Sequence, residues 1–138
     1  MILDLKGSKN LTLMFITHDL SLAWMIADRI AVFYLGKMME IGPAEDVVHK
    51  ALHPYSKALV SVIPSMDQRA KGRERHVLIG ETPSAGDVPE GCRFHTRCWL
   101  YRSKGDPEIC RAREPELCQY GEGHQAACHF AGEMEEIK

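Results

Sequence analysis

All five cysteines of this 138-residue chain fall within residues 92–128, and none precedes them. The spacing is C-x5-C-x11-C-x7-C-x9-C, beginning with "CRFHTRC". This pattern limits what the last third can fold into. The stretch is rich in Pro and Gly and too short to bury much core, so it needs either a minor core of small apolar thiols or a bonded staple. An odd number of thiols excludes complete internal pairing. No C-x-x-C knuckle is present, which argues against a zinc ribbon or finger. Thiolates are soft donors that select zinc, copper(I) or iron–sulfur clusters, and four converging thiolates can hold a cluster from irregular loop spacings. Spacing alone leaves metal and plain packing equally open. Arg93, Arg97, Arg111 and Arg113 flank the thiols and weakly favour an anionic group. His95, His124 and His129 lie close by and read as surface or packing histidines rather than ligands.

The compartment bears on this choice. Net charge is −2, so no strong field points to nucleic acid or an anionic membrane. The apolar runs at 11–16 and 30–35 fall well short of the roughly 20 residues that span a bilayer. The first ten residues, "MILDLKGSKN", do not read as a signal peptide. These features predict a cytoplasmic chain, where clustered cysteines more often mean metal or redox chemistry than disulfides.

Ahead of the cysteines the pattern is α/β. Residues 1–6 read as a helix tail ended by Gly7. "LTLMFIT" (11–17) reads as a strand buried on both faces, as in a parallel sheet. Asp19 or Ser21 caps a following helix of about three turns, with Leu22, Met25, Ile26 and Ile30 at helical spacing. "RIAVFYLG" and "KMMEIG" predict a hairpin of two strands. "PAEDVVHKAL" carries helix punctuation, with Pro43 at its start and Glu45 and Asp46 in its first turn. In "HPYSKALVSVIP", Pro54 opens a helix and Tyr55, Ala58, Leu59, Val62 and Ile63 form its apolar face. Residues 65–75 read as an exposed linker and 76–81 as a short strand. A Pro- and Gly-rich loop follows. A short helix then starts near Asp106 and Pro107, and a closing strand lies in 124–130.

His18 stands where open α/β sheets place ligands, just beyond the carboxyl end of a strand. Thr17, His18 and Asp19 fit a simple polar turn and helix cap. They also fit a polar group reaching a phosphate or a water, since imidazole can donate to an anionic oxygen near neutral pH.

The run "LTLMFITHDLSLAWMIADRIAVFYLGKMMEIGPAEDVV" resembles the end of an ABC-transporter nucleotide-binding domain. In that family a strand leads into a "TH" or "THD" motif, followed by a helix and "ADRI". The resemblance aligns His18 with the switch histidine, which contacts the γ-phosphate of ATP in the closed dimer. The chain has no G-x-x-x-x-G-K-[ST] phosphate loop, no "LSGGQ"-type signature and no strand ending in "DE". Phosphoryl transfer needs a phosphate cradle, a metal and a residue that orients water. The chain by itself is therefore expected neither to bind ATP tightly nor to hydrolyse it. The resemblance makes it the C-terminal part of a longer subunit that would be a transport ATPase.

"HPYSKALVSVIP", "GETPSAGDVPEGCRFHTRC", "EICRAREPEL" and "GHQAACH" narrow the likeness. They resemble the C-terminal extension of oligopeptide and dipeptide importers' ATP-binding subunits, parts of which nickel importers share. The resemblance implies a remnant of a P-loop ABC domain over 1–52 and the extension over 53–138, with its Cys-rich segment at 91–130. It implies Cys92, Cys98, Cys110 and Cys128 as ligands of a [4Fe–4S] cluster, zinc being the alternative, with Cys118 as the extra thiol. It also implies a second ATP-binding subunit, alike or different, transmembrane permease subunits, and a peptide handed over by a binding protein. The place implied is the inner face of the cell membrane, as a peripheral subunit. His53, Pro54 and Tyr55 would pack the extension onto the domain. The rival reading is a free-standing iron–sulfur or zinc interaction module with no ATPase role. A hydrolase using His18 and Asp19 finds no nucleophile with a supporting motif.

Overall fold

A computed structural model describes residues 11–63 and 75–136. It is a mixed helix–strand fold built on one antiparallel sheet. In chain order come α1 (Leu20–Ile26), β1 (Arg29–Tyr34), β2 (Lys37–Pro43), α2 (Ala44–His49) and α3 (Pro54–Ser61). Then follow a 3-10 turn (His95–Arg97), α4 (Trp99–Ser103), α5 (Ile109–Ala112), β3 (Cys118–Gly121), β4 (His124–Ala126) and a second 3-10 turn (Glu133–Glu136). The strand order is β1-β2-β4-β3. The hairpin β1–β2 thus pairs directly with a strand from the Cys-rich segment, through Glu40↔Ala126 and Ile41↔Gln125.

The hairpin forms where expected. β1 alternates strictly, with Ile30, Val32 and Tyr34 turned inward. Leu35 and Gly36 make the turn, both at positive φ, the mirror-image form that suits strand twist. Two cores result. Ala23, Ile30, Val32, Ala44, Val47, Val48 and Val60 form the first. Tyr34, Met39, Cys92, Phe94, Cys98, Leu100 and Met134 form the second, and Tyr55 packs against both. The Tyr34, Tyr55 and Phe94 rings meet at centroid separations of 4.9–5.3 Å, within the range of favourable aromatic pairs.

Several expectations need correction. Residues 11–17 form no strand, and Met14 and Ile16 are 91% and 95% exposed. A strand exists only by pairing, and no described residue pairs with this segment. The parallel sheet foreseen there is replaced by an antiparallel one. Residues 76–81 likewise form no strand, but His76 stacks on Trp99 at 4.0 Å and donates its N–H to Ser61 Oγ, and Leu78 packs against the second core. α1 is seven residues long and buries Ala23, not Leu22 or Met25. Trp24 fixes that orientation: its Nε1 donates to Glu45 at 3.0 Å and its ring meets His49 edge-on. In α3, Val60 is buried and Val62 is exposed, because the helix ends at Ser61. The helix tail at 1–6 and all of the expected linker but Arg75 lie outside the described residues.

One buried carboxylate joins three parts of the chain. Glu40 on β2 is completely buried. Its Oε1 accepts from the Leu52 N–H at 2.9 Å and from His124 Nε2 at 2.7 Å. Its Oε2 accepts from the His53 N–H at 3.0 Å. His53 in turn caps α3, its Nδ1 accepting from the Tyr55 N–H at 3.0 Å. The His124 ring lies flat enough on Gly42 that a Cβ there would come within 2.7 Å of it. Trp99 completes the joint by donating from Nε1 to the Pro54 carbonyl at 3.1 Å. The three residues of "HPY" thus each hold a contact: His53 as cap, Pro54 as acceptor, Tyr55 between the cores.

Glu40→Ala strands two amide donors and an imidazole N–H in the interior. It is expected to lower unfolding stability by about 3–5 kcal/mol, read as an earlier midpoint in urea. Glu40→Gln keeps one acceptor oxygen and should lose less. Burial pushes the His53 imidazole down from 6.5 to about 3. Between those values the unfolded chain takes up a proton that the folded chain refuses. The stabilisation is therefore complete above pH 6.5 and is lost as pH falls towards 3, at up to about 1.4 kcal/mol per pH unit. His53→Asn keeps a cap acceptor, and urea titrations across this window should show the acid-side slope reduced in that variant.

Candidate metal centre

Cys92, Cys98, Cys110 and Cys128 all line one recess, together with Phe94, Leu100 and Phe130. Its innermost space is about 10 Å³, room for about one water. The wider recess, counted with its solvent mouth, is about 320 Å³. Cys118 stands apart, exposed on β3. The structure thus gathers the four thiols singled out from the sequence and leaves out the fifth. His18 is elsewhere, exposed just ahead of α1. Around it the polar turn and cap are real: Thr17 Oγ1 accepts from the Asp19 N–H, and Asp19 Oδ1 accepts from the Ser21 and Leu22 N–H groups.

Local geometry explains how distant cysteines meet. Gly91 at φ +68° lets the chain run against the backbone of Cys110 and Arg111, where a Cβ would come within 2.5 Å of both carbonyl oxygens. That approach allows the Cys92 N–H to donate to the Cys110 carbonyl at 2.8 Å. Cys98 is the N-cap of α4, and its Sγ accepts from the Tyr101 N–H at 3.4 Å. Cys128 lies two residues beyond the end of β4, and its Sγ accepts from the Phe130 N–H at 3.4 Å. Arg93 ties the loop to the hairpin turn, donating to the Leu35 carbonyl at 2.6 Å. Glu114 neutralises this corner between Lys37 at 2.9 Å and Arg93 at 3.4 Å.

Electrostatics set the resting state of the thiols. Burial pushes Cys98 and Cys128 up to about 12 and Cys110 to about 11, and it raises Cys92. The thiols also raise one another: Cys128 feels Cys98, Cys92 and Cys110 in turn. Backbone N–H groups at Phe94, His95, Leu100, Tyr101 and Phe130 act the other way, favouring thiolates. Without a cation the four stay protonated. With one, thiolates already provided with N–H donors become the stable form.

Among the described residues no three His, Cys, Asp or Glu side chains are set to hold a single metal ion. The donor chemistry nevertheless fits a thiolate-bound group: soft donors, N–H···S contacts and an apolar wall. Two histidines on that wall were read from the sequence as surface or packing residues. His95 Nδ1 donates to the Cys92 carbonyl at 2.8 Å, and His129 Nε2 donates to the Arg113 carbonyl at 2.9 Å. Glu40 was missed altogether. The available signal was an acid set between Met39 and Ile41 in an otherwise apolar strand.

Residues 39–104 match the family model described as the oligopeptide/dipeptide transporter C-terminal region. The chain is 43% identical over 128 residues to the oligopeptide transport ATP-binding protein AppF of Bacillus subtilis. That alignment covers 92% of this chain and 37% of AppF. It is 45% identical over 127 residues to the putative oligopeptide transport ATP-binding protein YkfD of the same organism, covering 91% of this chain and 37% of YkfD. It is 40% identical over 128 residues to the dipeptide transport ATP-binding protein DppF of Haemophilus influenzae, covering 93% and 37%. The chain thus spans little more than a third of the length of these curated relatives. Residues 39–104 thus carry the oligopeptide/dipeptide transporter C-terminal region, and nine-tenths of the chain is similar to part of ATP-binding proteins named for oligopeptide and dipeptide transport.

Proposed function

We propose that the chain serves as the C-terminal part of the ATP-binding subunit of a peptide ABC importer, where the intact subunit couples ATP binding and hydrolysis to peptide uptake. The observation that carries this reading is the 40–45% identity, along almost the whole chain, to proteins named for oligopeptide and dipeptide transport. On this reading residues 1–52 end a P-loop nucleotide-binding domain, and 53–138 form the extension, with its linker at 65–75. The subunit pairs with a second ATP-binding subunit and with permease subunits at the inner face of the membrane. The peptide arrives from a binding protein. Among the described residues no helix is long and apolar enough to cross a membrane. On the same reading His18, exposed just ahead of α1, contacts the γ-phosphate of ATP bound across the dimer.

The four thiols take a [4Fe–4S] cluster on this reading, with zinc as the other candidate. When bound, the cluster supplies iron–thiolate bonds that fasten loops whose own core is small. The protein's part is to hold Cys92, Cys98, Cys110 and Cys128 around one recess, to offer N–H groups to their sulfurs and to keep water off the apolar wall.

A chimera in which this chain replaces the stretch of AppF that it matches allows the importer function to be tested. In an AppF-deficient strain that needs peptides for growth, the chimera should restore growth, and His18→Ala in it should reduce growth and peptide-dependent ATPase severely, by about a hundredfold or more. A chimera that folds and assembles yet restores nothing would overturn the importer reading. Purified without oxygen, the chain itself should be brown with about four irons and matching sulfide. Cys128→Ser should bleach it, whereas Cys118→Ser should not.

A further inference from the structure

We propose that Glu40, through His124, is the positioning residue of the four-thiol site: it sets where Cys128 stands relative to the other three thiols. The inference rests on the thiol site proposed above and assigns its geometry to a residue of the other half of the sheet.

The four thiols do not reach the recess by equal means. Cys92 and Cys110 are fastened to each other by the Cys92 N–H to Cys110 carbonyl bond, with Gly91 packed on the same backbone. Cys98 is built into the first turn of α4, whose Trp99 is hydrogen-bonded to Pro54. At Cys128 the local bonds, from the Phe130 N–H to its Sγ and from the Ala131 N–H and the Tyr120 hydroxyl to its carbonyl, are long, at 3.4–3.5 Å, and none ties Cys128 to the segment of another of the four thiols. It comes after β4, a strand of only three residues, His124–Ala126. β4 is fixed to β2 by two register pairs and by the Ala127 N–H donating to the Met39 carbonyl at 2.8 Å. A buried side-chain bond crosses that joint, His124 Nε2 to Glu40 Oε1 at 2.7 Å, and Arg29 of β1 adds an exposed one by donating to the Gly123 carbonyl at 3.0 Å. The same carboxylate accepts from the amides of Leu52 and His53, and His53 and Pro54 wall the recess on that side. One acceptor thus fixes both the Cys128 side and the 52–54 side of the recess. A buried charge-assisted bond is shorter, stronger and more directional than a surface pair, which suits it to fixing register.

Alkylation reads this without any metal. Each thiol in the metal-free chain is labelled with iodoacetamide under native conditions, and the labelled peptides are identified by mass. In His124→Ala, Cys128 should label at least about tenfold faster, the scale set by losing a hydrogen bond to a charged group, while Cys98 labelling stays unchanged. His124→Gln, whose side-chain amide can still donate to Glu40, should restore slow labelling at Cys128. Unchanged Cys128 labelling in a folded His124→Ala overturns the proposal. So does faster labelling of all four thiols together in both variants, which would mean the residue serves only general stability.

Reconstitution with iron and sulfide then separates this proposal from the cluster reading. If wild-type chain takes up iron and His124→Ala loses it faster to a chelator, both stand. If wild-type chain takes up none while Cys128 labelling still follows His124, the cluster reading fails and the positioning role stands. If His124→Ala holds iron as firmly as wild type, the cluster stands and the positioning role falls.

Discussion

The fold depends on a carboxylate that has no access to water. Removing an ionised group from water costs several kcal/mol, and only well-aimed donors offset it. Glu40 has three such donors: the Leu52 and His53 amides and the His124 imidazole. They come from widely separated parts of the sequence, so satisfying the one group forces three segments together. The hairpin, the "HPY" turn and the last strand cannot move independently while the group stays buried. Gly42 belongs to the same arrangement, because any side chain there would displace the His124 ring.

The thiol recess is a consequence of that joint. Two of its sides are walls whose positions Glu40 sets, and a third comes from the loop that Arg93 pins to the hairpin turn. The second core fills the space behind it, with Phe94 fully buried among Tyr34, Tyr55 and His53. The cysteines are therefore both core and lining of the recess. Their burial keeps them protonated while the site is metal-free, and their N–H donors prepare them for a cation. The two readings that spacing alone left open therefore do not exclude each other, since packing and the proposed ligation would use the same side chains.

The legible parts of the sequence were those with local causes. The apolar run at 29–36 with its turn at Gly36 gave the hairpin, Pro54 gave the start of α3, and Asp19, one of two candidates, gave the cap of α1. The unreliable parts were those whose fate depends on a neighbour. Residues 11–17 have the composition of a buried strand, but pairing is not a property of one segment, and none of the described residues pairs with them. Leu22 and Met25 fit a helix periodicity, but Trp24 chose the face that packs, through Glu45 and His49. Glu40 looked like an ordinary strand acid because its donors lie 12, 13 and 84 residues away.

The sequence by itself determined the family resemblance, the turn and helix signals, and the set of thiols that differ from Cys118, because motifs and caps are carried by residues close along the chain. Only the tertiary structure decided that the sheet is antiparallel and continuous from the hairpin to the Cys-rich segment. It alone decided that four thiols share one recess, and that a buried glutamate and histidine hold two of its walls. The physical reason is the same in each case: burial and hydrogen-bond satisfaction are settled between segments, once the chain has closed on itself.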